Sequence, residues 1–425
     1  MSSPTTPGTV ESETPPRVVI TGIGLVTSVG NDTTTTWKAL LEGQSGVGPV
    51  TEFDASAFDV RFVAAVKDFD ARRYLDAKEV RRQDRVVHYA VGAARQAVAD
   101  AGFAVTGDGY DVGVVIGSGA GGLTALTEGF RQLFDQGPDR VSPFLITRYV
   151  PDMPAGYVSI QLGARGPNFA TVSACASGAN AIGESFEIIR RGDARAMIAG
   201  GTEFAPNEVS LAAFASMHAL SRRNDDPRRA SRPFDNTRDG FVMGAGAGVL
   251  VLERLDDALA RGAPIYAEIM GYAASADAHH VTEPAPGGAG LARAIRRALE
   301  KAEIAPEDVD YVNAHGTSTR YNDRDETTAL KSVYGDHARK LAISSTKSMI
   351  GHTLGAAGGI ETAVTALTLK HGIMTPTTNY EYPDPECDLD YIPNAARRGD
   401  VRVAVKESMG FGGHNAVLVL RRYEG

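Results

Sequence analysis

Short apolar runs that end in glycine recur along the chain and set its predicted architecture. Arg17-Val18-Val19-Ile20 runs into Thr21-Gly22-Ile23-Gly24, and Asp111 to Gly122 (DVGVVIGSGAGG) runs into a glycine cluster. Arg195 to Gly201 (RAMIAGG) and Ala245 to Glu253 (AGAGVLVLE) follow the same plan. Runs of this length bounded by turn residues predict strands buried on both faces. Tyr266 to Tyr272, Val309 to Ala314, Leu341 to Ser345 and Ala416 to Leu420 repeat the pattern in the second half. Between them the spacing becomes helical: residues 85–102 (RVVHYAVGAARQAVADAG) stop at Gly102, and Gly290 to Ala302 and Gly359 to His371 are similar. Strands alternating with helices predict an α/β fold with largely buried sheets.

The second half also repeats part of the first. Cys175 to Ser185 can be laid on His352 to Thr362 without a gap, which sets Gly178 opposite Gly355, Glu184 opposite Glu361 and Cys175 opposite His352. With the repeated strand–helix style, this predicts two similar halves, each opening a helix at a chemically active residue. The seam is expected near residues 255–265, which gives halves of 17–260 and 261–425. Residues 1–16 (MSSPTTPGTVESETPP) lack a basic and an apolar region, so they are expected to be a disordered tail and not a signal peptide.

Composition narrows the function. At 425 residues the chain can build two domain-sized cores. Its net charge of −9 argues against general nucleic-acid binding, and it has no run of about 20 apolar residues that would span a bilayer. Two distant cysteines, Cys175 and Cys387, exclude a disulfide framework and fit a reducing cytoplasm. The 47 glycines predict tight turns and close backbone approaches.

Three residues stand out chemically. Cys175 follows Phe169-Ala170-Thr171-Val172 in the turn Ser173-Ala174-Cys175-Ala176-Ser177-Gly178, a strand–nucleophile–helix context. A helix N-terminus there is expected to favour thiolate and lower the thiol pKa. A lone cysteine among Ala and Ser can equally be a small buried hydrophobe. His315 sits at a strand end in NAHGTST, and His352 at a predicted helix start in KSMIGH. A helix N-terminus disfavours imidazolium, so His352 is expected to stay neutral and donate to developing negative charge. One Cys and two His rimmed by glycine form a less ordinary set than any one of them. Zinc is the competing use, but no CxxC or HExxH occurs and His279-His280 do not converge, so no metal is expected. Gly22-Ile23-Gly24 and Gly117 to Gly122 lack the GxGxxG and GK[ST] patterns of nucleotide sites and read as turns. Gly410-Phe411-Gly412-Gly413-His414-Asn415 can bring backbone N–H groups close to a ligand or simply turn into the last strand.

With SACASG around Cys175, NAHGTST around His315, STKSMIGHTLGAAGG around Lys347 and His352, and GFGGHN around Phe411, the chain resembles the elongating β-ketoacyl-acyl-carrier-protein synthases of types I and II, closest to II, and the related polyketide ketosynthases. The likeness runs from about Arg17 to Arg422. It implies a thiolase fold, two pseudo-repeated halves in five αβαβα layers, and a homodimer, with pairing to a non-catalytic homologue as the alternative in polyketide pathways. It implies Cys175 as acyl acceptor, His315 and His352 as stabilisers of the enolate, and Lys347 with Glu326 as a supporting charged pair. It also implies an oxyanion hole from the backbones of Cys175 and Phe411, Phe411 as a gate, and no cofactor. Ala120, Met409, Gly410 and Gly412 match substrate-binding positions. Ala120 is small for its position and so predicts a deep acyl pocket, while Met409 and Arg320 replace the usual Phe and Pro. Acyl carrier protein, acidic as a class, needs a local basic patch on this acidic chain, and Lys78, Arg81 and Arg82, with Arg72 and Arg73 nearby, match the docking region.

Overall fold

A computed structural model describes residues 15–425, so all but the last two residues of the predicted tail lie outside the described residues. Among the described residues, ten strands form one mixed sheet. They are β1 Val18–Val26, β2 Val112–Gly117, β3 Asn168–Phe169, β4 Ala196–Phe204 and β5 Ala245–Arg254, then β6 Ala267–Ala276, β7 Tyr311–Asn313, β8 Ala342–Ser344, β9 Val403–Gly410 and β10 His414–Arg421. The order across the sheet is β8-β7-β9-β10-β6-β1-β5-β4-β2-β3. Read outward from the central antiparallel pair β6–β1, the two halves have the same order and the same mixture of directions. β5 lies antiparallel to β1 and β4, and β2 is parallel to both β4 and β3. The sequence β6, β10, β9, β7, β8 repeats those relations.

Nearly every strand position is buried, which is why the strands read as continuous apolar runs and not as alternating ones. Helices cover both faces. Of those that matter to the site, α1 is Ala77–Arg82, α2 Arg85–Asp100, α3 Leu123–Gln136, α4 Leu145–Tyr149, α5 Met153–Leu162, α6 Ser177–Arg191, α7 Ala289–Ala302, α8 Arg320–Tyr334, α9 Lys347–Ile350 and α10 Ala357–His371. α2 and α5 cover the first half and α7 and α8 the second, while α6 and α10 pack on each other between the strands of both halves. This gives five layers. α10 is buried almost throughout, as a helix in a middle layer must be. No helix among the described residues is long and apolar enough to cross a membrane.

The repeat is real, but its register differs from the expected one. One-turn segments Ala174–Ala176 and Leu354–Ala356 precede α6 and α10, Ala174 and Leu354 both take positive φ (50° and 48°), and Gly192 and Gly372 end the two helices in the left-handed conformation. Cys175 therefore corresponds to Gly355, and His352 lies ahead of the turn. Both stretches are rich in Gly and Ala, so matching letters can slide by about one helical turn without penalty. Glycine has a packing role here: a Cβ on Gly178 would lie 2.7 Å from the Gly359 nitrogen, and one on Gly358 2.1 Å from that of Ala179. The two middle helices can cross this closely only because those side chains are absent.

Candidate active site

The turn before α6 is tightly held. The Ser173 N–H donates to Ser177 Oγ at 3.0 Å, Ser177 Oγ donates to the Ala174 carbonyl at 2.6 Å, and Asn180 Nδ2 donates to Ser173 Oγ at 2.5 Å. Asn180 is fixed in turn by the Tyr272 hydroxyl at 2.8 Å. These bonds hold Ala174 at positive φ, a costly conformation for a residue with a Cβ, and aim Cys175 away from the helix into a cavity of about 500 Å³. β9 ends against this turn. A Cβ on Gly410 would lie 2.7 Å from the Ser173 carbonyl and 3.2 Å from the Cys175 nitrogen, so glycine lets the strand bring Phe411 to the sulfur. The Phe411 N–H donates to Cys175.

His315 follows β7 and His352 follows α9. Their rings meet edge to face with centroids 5.2 Å apart, and both line the cavity with Cys175, Phe411, Ala120 and Met409. The His352 Nδ1 accepts the Leu354 N–H at 3.3 Å, which assigns the hydrogen to Nε2. That Nε2, and Nδ1 of His315, are buried without a protein partner among the described residues. Burial pushes both imidazoles well below their ordinary pKa, with the charges of Lys347 and Lys406 acting the same way. Both are neutral, but for His352 the cause is burial and the two lysines and not a helix N-terminus, since it follows α9 instead of opening a helix. Cys175 departs from expectation: burial pushes its thiol up to about 12, against the pull of Lys347 and the Phe411 N–H. The sulfur precedes α6 but sits in an apolar pocket, and the loss of solvation outweighs the helix terminus.

Lys347 and Glu326 lie behind the histidines and do not form the expected pair. Lys347 donates to the His315 carbonyl at 2.6 Å and pairs with Glu361 on α10. Glu326 on α8 accepts the His315 and Gly316 N–H groups at 2.5 and 2.8 Å. Lys347 thus holds the carbonyl side of the His315 loop and Glu326 its amide side. Gly410 lines the cavity with Phe411, but Gly412 does not: it lies exposed at the hairpin tip, donating to the Val281 carbonyl at 2.7 Å, and Gly413 lines the wall instead. Lys78 and Arg81 are exposed on α1, and Arg82 stacks over Phe144 at 4.6 Å. Among the described residues no group of three or more His, Cys, Asp or Glu could hold a metal ion.

Two further features escape sequence reasoning. Phe214, Phe241 and Phe411 form an aromatic chain, Phe241 meeting the His352 ring edge to face at 5.4 Å. Glu203, at the end of β4, lines the cavity and accepts from the backbones of Gly119 (2.7 Å), Ala120 (3.3 Å) and Gly355 (3.1 Å). It ties a first-half loop to the second-half turn. Burial pushes its carboxyl up to about 7. An acidic residue closing the apolar run RAMIAGGTEFA is the one sequence signal for it.

Comparison with known proteins shows the family. Residues 16–258 match the family model for the β-ketoacyl synthase N-terminal domain, and residues 266–381 that for the C-terminal domain. The chain is 52% identical over 409 residues to a 3-oxoacyl-[acyl-carrier-protein] synthase 2 from Synechocystis sp., covering 96% of this chain and 98% of that protein. It superposes with a TM-score of 0.91 and 36% identity on a solved structure described as the ishigamide ketosynthase/chain length factor, covering 96% of this chain and 100% of that one. A type II PKS ketosynthase solved in complex with its acyl-carrier protein gives 0.90 and 35%, with the same coverage. With its thiolase fold, its paired domains and a cysteine and two histidines on one cavity, the chain belongs to the β-ketoacyl synthase family.

Proposed function

We propose that the chain is a condensing acyltransferase, a β-ketoacyl-acyl-carrier-protein synthase that lengthens an acyl thioester by two carbons in fatty-acid synthesis. The observation that carries this is one cavity shared by Cys175, the Phe411 N–H and two neutral imidazoles. On this reading the half spanning 17–260 supplies the nucleophile and 261–425 the histidines.

Cys175 takes the acyl group from its carrier: the C–S bond to the carrier thiol breaks, a new one forms to Sγ, and the thiol proton leaves with the carrier. A thiol pushed up to about 12 is unreactive at rest, which suits a cysteine activated only while substrate is bound. The Phe411 and Cys175 N–H groups stabilise the tetrahedral oxyanion. Malonyl thioester then loses its carboxylate as CO₂, and the electron pair becomes an enolate. Nε2 of His352, which carries a hydrogen, donates to the enolate oxygen, with His315 beside it. The carbanion attacks the acyl-Cys175 carbonyl, expels the thiolate and leaves a β-ketoacyl carrier protein; the thiolate regains a proton. Neutral imidazoles suit the task, since imidazolium beside Lys347 and Lys406 would add a third buried cation.

The partner is acyl carrier protein, acyl- and malonyl-loaded, docked by Lys78, Arg81 and Arg82; the Arg82–Phe144 stack ties that basic helix to the α3–α4 region. A second copy completes the enzyme. β3 is the open edge of the sheet, and Phe169, Ile160 and Val172 near it are exposed apolar residues. The cytoplasm is the compartment, in keeping with two free buried cysteines. Intact-mass analysis with a panel of acyl carrier proteins tests the reading: acyl transfer onto wild type and none onto Cys175→Ala is expected, while free acid release without malonyl dependence would indicate a hydrolase. A ketosynthase subunit of a type II polyketide or polyene pathway is the second reading, favoured by the small Ala120 on the cavity wall and by the likeness to a type II PKS ketosynthase. Co-purification with a homologue lacking the cysteine decides for it.

A further inference from the structure

β9 carries two adjacent charged residues into the middle of the protein. Lys406 and Glu407 are both fully buried, and because successive strand residues face opposite sides they reach different layers. Lys406 points to the middle layer. Its Nζ pairs with Glu361 at 2.7 Å, donates to Ser408 Oγ at 2.6 Å, and also donates to the Glu407 carbonyl. Glu361 is thus held between two lysines, since Lys347 takes its other oxygen. Glu407 points to the outer layer, where its carboxyl lies beside that of Glu326 and neither of its oxygens has a protein donor among the described residues.

These contacts give two chains of bonds that converge on one loop. On one face Lys406, Glu361 and Lys347 lead to the His315 carbonyl. On the other, Glu407 and Glu326 lead to the His315 and Gly316 N–H groups. The strand between them ends at Gly410, beside Phe411. The charges also balance. Two buried lysines face Glu361 and Glu326, and the cluster is neutral when Glu407 keeps its proton and donates it to Glu326. A shared proton is what two touching carboxyls require, and burial with the charge of Glu326 holds Glu407 well above the ordinary range.

We propose that Lys406 is a positioning residue of the condensing site: through Glu361 and Lys347 it braces the His315 loop and sets a second cation beneath the two imidazoles. Glu407 has a smaller part, as the neutral acid that orients Glu326. The inference rests on the condensing-enzyme reading for its kinetic test but not for its spectroscopic one. The groups facing His315 and His352 are Lys347 on α9, Lys406 and Glu407 on β9, Glu326 on α8, Glu361 on α10, Glu203 on β4 and the Cys175 thiol. The charges of Lys347 and Lys406 both act on the two imidazoles, so removing one should let them protonate more easily.

The experiment compares wild type with Lys406→Met, Lys406→Arg and Glu407→Gln in the full chain. The first readout is histidine titration by NMR on ¹³C-histidine-labelled protein, with His315 and His352 assigned by His→Asn variants. The second is the pH profile of malonyl-carrier-protein decarboxylation. In Lys406→Met both histidines should titrate about one pH unit higher, and the acid limb of the profile should move up by the same amount. Lys406→Arg should restore both, and Glu407→Gln should shift both readouts by less than Lys406→Met does. A lysine that only holds the fold together would lower the melting temperature and leave both readouts in place, which would overturn the proposal. If Lys406→Met does not fold, Lys406→Gln keeps a donor toward Glu361 and makes the same prediction; failure of both neutral variants to fold also overturns it. A wild type that decarboxylates nothing counts against the condensing reading alone, because the titration still reports on Lys406.

Discussion

The turns ahead of α6 and α10 are the same piece of structure used for opposite ends. Both are one-turn segments with a strained first residue, and both open a middle-layer helix. In the first half the second position is Cys175, whose side chain leaves the protein for the cavity. In the second half it is Gly355, which has no side chain and offers its N–H to Glu203. Chemistry then collects in the second half around the turn and not within it: His352 ahead of it, and Lys347, Glu361 and Lys406 behind. A duplicated fold thus keeps its backbone geometry twice while placing a thiol in one copy and two imidazoles with their buried charges in the other.

The strongest way to break this comparison is Cys175→Ala, which should make the first turn as inert as the second. Condensation is expected to fall by at least about 10³-fold while folding is unaffected, since Sγ has little packing to lose. Steady-state condensation and thermal melting measured together check this. The converse change, Gly355→Ala, should cost stability and not chemistry directly. Its Cβ would lie 2.4 Å from the Gly119 nitrogen and 2.6 Å from Glu203 Oε2, so the halves must separate slightly. An overpacking cost of about 1–3 kcal/mol is expected in denaturant unfolding.

The common plan of the halves was legible in sequence because buried strands leave unbroken apolar runs, and all eight expected strands are present. The register of the repeat was not, because Gly and Ala carry too little identity to fix it. Cys175, His315, His352 and Phe411 were legible as a set through their glycine-rich settings, and they do meet on one cavity. Their supports were harder to see. Lys347 pairs with Glu361 rather than Glu326, a partner that residue type alone does not select. Lys406 and Glu407 read as an unremarkable polar interruption of VAVKES, yet a charged pair within an otherwise buried strand was the available signal. The thiol pKa was misread because a helix terminus is visible in a sequence and the depth of an apolar pocket is not.

Glu203, which joins the Gly119–Ala120 loop of the first half to the second turn, sharpens the comparison through pH. In the folded state it holds its proton up to about pH 7, against 4.5 for an ordinary glutamate. The folded protein therefore binds the proton more tightly than the unfolded chain. The resulting stability is fully present below about pH 4.5 and is lost as pH rises through about 7, at up to about 1.4 kcal/mol per pH unit. Glu203→Gln removes this dependence, so the stability difference between wild type and variant should vary across that window and be flat above it. Unfolding free energies at several pH values measure it, and a difference independent of pH would mean that Glu203 does not titrate there.

The smallest effect concerns the part of the cavity wall that Ala120 supplies. Ala120 sits on the loop that Glu203 holds, exposed to the cavity that Cys175 also lines. Ala120→Phe should leave transfer of short acyl groups near wild type and slow long or bulky ones by about tenfold, the discrimination expected of a changed apolar wall. The loop backbone need not move, because the hydrogen bond from Ala120 to Glu203 uses the main-chain nitrogen. Acylation rates across a series of chain lengths, followed by intact mass, read the effect. Identical profiles for wild type and variant would place the acyl chain elsewhere in the cavity and remove this residue from any account of substrate choice.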